Sequence, residues 1–158
     1  MSVPVCGLKI SGSTTAQSAP ATAAAYTTGW AALGLSQHGE LSGVASAANS
    51  RLTLKPGLYR CEFSASVEAD TGAGPTGEQA EFTIRRGGSA IADDKPGRAD
   101  FQGIDRPVDV QAVALVEITP AHVTASTNYV QVYIAADTSP AIDTMVRDAL
   151  FVAYRLDT

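Results

Sequence analysis

The chain has 158 residues, 45% of them hydrophobic, and a formal net charge of −5. That length fits one domain around a single core, and the apolar content exceeds what a disordered chain carries. A negative balance with scattered basic residues argues against nucleic acid as a partner, and no apolar run approaches the roughly 18 residues of a membrane-spanning helix.

The opening MSVPVCGLKISGSTT lacks the basic stretch and long apolar run of an export signal, so the product is expected to stay in the cytoplasm where it is made. Residues 1–25 are rich in Ala, Ser, Thr and Gly and read as an extended N-terminal arm, with Val3, Val5, Leu8 and Ile10 as its apolar contacts. Residues 26–158 form the domain proper. Short strands are predicted near 26–34, which holds the single tryptophan, and near 40–46.

The strongest periodicity lies in LTLKPGLYRCEFSASVEAD. After the Pro56-Gly57 turn, Tyr59, Cys61, Phe63, Ala65 and Val67 alternate with Arg60, Glu62, Ser64, Ser66 and Glu68. A strand sends each set to its own face, whereas a helix would mix them. Ala80, Phe82 and Ile84 repeat the pattern before the Gly87-Gly88 turn. Residues 93–107, polar with two prolines, read as the longest loop, and strand character returns in VDVQAVALVEI, YVQVYIAA and DALFVAYRLD. Many short strands with Gly, Pro and Asp turns and no helical periodicity predict an all-β antiparallel sandwich.

Three of these strands have one apolar face too many. Val113 and Leu115 lie opposite the Val108 to Ile118 stripe, Tyr129 and Tyr133 oppose Val130, Val132 and Ile134, and Phe151 opposes Leu150, Val152 and Tyr154. A two-layer sandwich buries one face of each strand, so Val113, Leu115, Tyr129, Tyr133 and Phe151 are the candidate subunit interface. Cys61 reads as a small buried hydrophobe. A Cys6 to Cys61 bridge stays open, with reduced thiols favoured in a cytosolic setting.

Chemistry is hard to find in these residues. Neither His38 nor His122 belongs to a recurring catalytic or metal-binding motif, and Asp93, Asp94, Asp105 and Asp109 lack the spacing of a calcium loop. No enzyme activity, metal or cofactor is expected.

The order of motifs resembles the tumour necrosis factor and complement globular-head type of jelly roll. Gly57, Tyr59 and Phe63 match its G-x-Y-x-x-x-F strand, Arg86-Gly87 its basic-Gly turn, and Phe151 with Tyr154 its closing strand. The likeness spans about residues 27–157 and implies a ten-strand jelly roll packed as a homotrimer. Ser126-Thr127-Asn128 stands where a Gly-Asp turn is usual, which puts the family's calcium site in doubt here. In its non-secreted use the chain is similar to bacteriophage capsid decoration or head-fibre proteins. That likeness implies a virion protein on the capsid surface, its partner the major capsid protein and its arm docked by strand addition. The alternative is a fibre or receptor-binding module recognising a cell-surface glycan through loops 70–78 and 93–107.

Overall fold

A computed structural model describes residues 4–13, 15–27, 29–32, 45–48, 50–70, 78–103, 106–136 and 142–157. The long strands form where alternation is strictest. These are β7 (Gly57–Ala69), β8 (Gln79–Arg86), β11 (Val108–Ile118), β12 (Tyr129–Ala136) and β13 (Ile142–Arg155). Shorter strands complete the layers: β1 (Pro4–Lys9), β2 (Gln17–Ala19), β3 (Ala24–Ala25), β4 (Ala31–Ala32), β5 (Ala45–Ala48), β6 (Arg51–Leu54), β9 (Asp94–Lys95) and β10 (Gly97–Asp100).

Two antiparallel sheets result. The first runs β4-β1-β13-β7-β11-β9 with β2 also on β13, and the second runs β10-β8-β12-β6-β5 with β3 also on β12. Consecutive strands often fall in opposite sheets, as a jelly roll requires. The all-β sandwich read from the sequence is therefore the observed fold.

Between the sheets Phe63 from β7 stacks on Phe82 from β8, ring centroids 5.5 Å apart. Trp30 meets Phe63 at 6.0 Å and Phe151 of β13 at 6.3 Å, while Tyr26 contacts both Trp30 and Phe82. Offset and edge-on packing of this kind adds to the area term of a core. The segment around Tyr26 and Trp30 thus works as filling for the sandwich, with only two-residue ladders where longer strands near 26–34 are predicted. Residues 33–44, including His38, lie outside the described residues.

Three expectations need correction. Residues 4–9 are no free arm: β1 lies along β13, Pro4 opposite Tyr154 and Leu8 opposite Phe151, and Leu8 and Ile10 are buried in the core. Their alternating apolar residues earn a place in the sheet because β13 offers a full edge for pairing. Part of the 93–107 loop is a sheet-switching strand pair. Lys95 pairs with Val113 in the first sheet, and after Pro96 Gly97 pairs with Phe82 in the second. Ala99 and Phe101 are buried there, a short alternation hidden by its polar neighbours. Finally, a single helical turn, α1 (Pro120–Thr124), follows β11. Thr119 precedes Pro120 at its start, and His122 Nδ1 accepts from the Thr119 backbone N–H at 2.9 Å.

β13 carries an irregularity that alters its pattern. Its inward residues are Ile142, Thr144 and Val146, then Ala149, Phe151 and Ala153, with the register against β7 slipping between Arg147 and Leu150. Asp148, at φ 47°, is the inserted residue. One extra residue switches parity and keeps both halves of the strand on the same core.

Candidate association face

The outward side chains of β7, β11 and β13 fall into rows across the first sheet. One row reads Tyr154, Arg60, Leu115 and the next Val152, Glu62, Val113, followed by Leu150, Ser64, Gln111. Leu150 is 39% exposed and Leu115 45%, while Leu58, at the β7 end of this face, is 40% exposed. Arg60 and Glu62 pair with each other in the middle of this apolar ring. Beside them Ser64, Gln111, Val113, Leu150 and Val152 enclose a hollow of about 190 Å³. A sheet face with aliphatic side chains around a self-neutralised ion pair is suited to packing against another surface.

Val113 and Leu115, both named from the sequence, belong to this face. Their companions do not. Phe151 points the other way and is fully buried against Trp30, because the inserted residue at 148 sets the parity of β13. Tyr129 and Tyr133 lie on the outer face of the opposite sheet, beneath Arg51 at 4.6 Å and Arg85 at 5.0 Å. Those guanidinium groups cover the rings, which removes the need for a subunit there. Leu150, Val152 and Tyr154, which alternation sets opposite Phe151, are the β13 residues that share the face with Leu115. The direction of β13 was the missing fact.

Of the proposed arm contacts, Leu8 and Ile10 are in the core, and Val3 and the side chain of Val5 lie outside the described residues. Glu68, also outward on β7, is only 3% exposed and accepts from Arg147 Nε at 3.0 Å and Nη2 at 2.6 Å. That pair ties β7 to β13 just before the irregularity.

The two cysteines are free and buried. Cys6 and Cys61 both pair with Ala153, one from each side of β13, so two strand spacings, roughly 10 Å, separate them. A disulfide reaches less than about 7 Å between Cα atoms. Burial pushes the Cys6 thiol up to about 12 and raises that of Cys61 as well, which keeps both protonated and unreactive. Among the described residues no three His, Cys, Asp or Glu side chains come together as a metal set. Asp94 does accept from the Ile84 N–H across the sheet edge, and its burial raises its carboxyl above the usual range. Asp105 lies outside the described residues.

No family model and no curated protein sequence matches the chain. Solved structures do. The chain is similar to the Eiger TNF of S. frugiperda, at 10% identity over 99% of this chain and 96% of that one, with a TM-score of 0.58. It is also similar to murine APRIL at pH 5.0, at 9% identity over 96% and 98% of the two chains, with a TM-score of 0.52. Identities this low speak for architecture alone, and the architecture is a TNF-like jelly roll.

Proposed function

We propose that this chain is a non-catalytic structural protein that assembles as a homotrimer through the outer face of its first sheet and decorates a phage-type capsid. One observation carries the self-association: exposed Leu58, Leu115 and Leu150 and half-buried Val113 and Tyr154 share one face around the Arg60–Glu62 pair. Three copies around a threefold axis can turn this face toward one another, and closed cyclic symmetry is how most homo-oligomers are built. The capsid role rests on the sequence resemblance.

Attachment to the shell by a free arm at residues 4–9 is not part of this reading, since that segment is a core strand. Contact with the shell falls instead to surfaces of the folded sandwich. Many weak contacts from symmetric copies reach useful strength through avidity.

Sedimentation equilibrium at micromolar concentration tests the first half, with an expected mass three times the 16.3 kDa of the chain. The double variant Val113→Glu/Leu115→Glu places charge on the face without touching the core and is expected to sediment as a folded monomer. A monomeric wild type sinks the trimer. Co-sedimentation with capsids that lack their decoration tests the second half: saturable binding in multiples of three is expected, and no binding refutes the capsid role.

A further inference from the structure

The outer face of the second sheet holds an arrangement that neither self-association nor the core explains. The register of β12 against β8 puts Gln131 opposite Arg85, and the register against β6, continued by one residue, puts Arg51 opposite Gln131 from the other side. Arg51, Gln131 and Arg85 therefore form one outward row, with Tyr129 and Tyr133 on β12 flanking Gln131. Each guanidinium lies over one tyrosine ring.

Neither arginine has a carboxylate partner among the described residues. The ion pairs there engage Arg60, Arg98, Arg147 and Arg155 instead. Glu81, on the same face, is taken by Arg98, and Asp94, which feels the Arg85 charge at longer range, accepts from the Ile84 N–H. Arg85 Nε and the neighbouring Thr83 Oγ1 are both buried with no hydrogen-bond partner. In a chain with 16 acidic residues against 11 basic ones, two arginines that flank Gln131 on one row without an ion pair among the described residues are a local reversal of charge. Buried donors without acceptors call for an explanation.

We infer that the Arg51–Gln131–Arg85 row is a docking platform for the carboxylate side chains of an acidic segment on a protein partner. The tyrosine rings back the guanidinium carbons at 4.6 and 5.0 Å, which restrains both arginines before a ligand arrives and leaves their outward N–H groups for charge-assisted bonds to carboxylates. The strands bearing Arg51 and Arg85 are two spacings apart, roughly 10 Å, a span met by two acidic side chains of an extended segment. Gln131, 8% exposed between them, offers an amide to the backbone of that segment. A sugar or a nucleobase would need an open aromatic face for stacking, and the guanidinium groups already occupy the tyrosine faces. This inference stands apart from the trimer and capsid readings: it concerns the opposite face of the sandwich, and its test runs on the isolated chain.

Fluorescence anisotropy with a labelled ten-residue glutamate peptide at low salt tests it. Saturable binding is expected for the wild type, weakened at least tenfold in Arg51→Gln/Arg85→Gln and retained in Arg98→Gln, which removes a guanidinium already paired with Glu81. Arg51→Lys/Arg85→Lys keeps the charge but loses the fork, and an intermediate loss is expected. Should the Gln variant fail to fold, the Lys variant and peptide-induced shifts of the Gln131 side-chain amide in the wild type carry the test. Absence of binding, equal binding by the Gln variant, or tighter binding of heparin or single-stranded DNA than of the peptide each overturns the proposal.

Discussion

Cys6 and Cys61 show how a residue can be chemically capable and structurally silenced. Burial raises both thiols, and it raises Tyr59 as well. A group whose folded value lies above its unfolded one gives its full stabilisation below the unfolded value, here 9.0 for the thiols, and loses it as pH climbs toward the folded value, about 12 for Cys6. Unfolding free energies from urea titrations are therefore expected to fall from pH 9 upward, by at most about 1.4 kcal/mol per pH unit for each thiol. The Cys6→Ala/Cys61→Ala variant should show a shallower fall, and native protein should resist thiol reagents until unfolded. Gly97 is constrained in another way. A Cβ there would meet the Gln111 carbonyl oxygen, a backbone atom fixed in β11, at 2.6 Å. Gly97→Ala is expected to cost about 2–3 kcal/mol, seen as a clear drop in Tm. Composition announced the buried Cys61, but nothing near Pro96-Gly97 marks a crossing between sheets, because the crowding atom belongs to β11.

At the scale of elements, what could be read depended on length and contrast. β7 has six inward apolar residues, Tyr59 to Ala69 at every second position, most of them set between polar neighbours, so its pattern decides both its type and its faces. β10 has four residues, two of them charged, and its burial comes from the strand beside it, so its composition reads as loop. β13 defeats a simple period-two reading for a third reason, the extra residue at Asp148. The single turn α1 is not legible in the sequence because five residues carry no periodicity, although Thr119 and Pro120 are ordinary start signals. Its end is marked by Ser126 in a left-handed conformation, φ 56°, with the Thr127 N–H donating to the His122 carbonyl. Ser126 is exposed, and glycine holds that conformation at no steric cost. Ser126→Gly is expected to stabilise the protein by about 0.5–1 kcal/mol, measured by the urea midpoint with an unchanged m-value.

The whole molecule divides its two outer faces between different kinds of surface. The first sheet shows aliphatic side chains around a closed ion pair, and the second shows arginines resting on tyrosines. In the sequence both are strands with a second apolar side, and alternation alone sends them to one interface. The difference lies in cross-strand neighbours: Tyr129 and Tyr133 gain Arg51 and Arg85, whereas Leu115 and Leu150 gain no such cover. That contrast makes the Val113→Glu/Leu115→Glu and Arg51→Gln/Arg85→Gln variants independent probes, one moving the sedimenting mass and the other the affinity for acidic peptide.

The pairing of Pro4 with Tyr154 has a consequence for how the chain can be rearranged. Since β1 and β13 run antiparallel, their outer ends leave the sandwich at one rim, a few ångströms apart. A short linker can join them into a continuous hairpin, and the chain can then be opened at the Gly87-Gly88 turn on the second sheet. Such a circular permutant keeps every ladder of both sheets while changing the order in which its strands are synthesised.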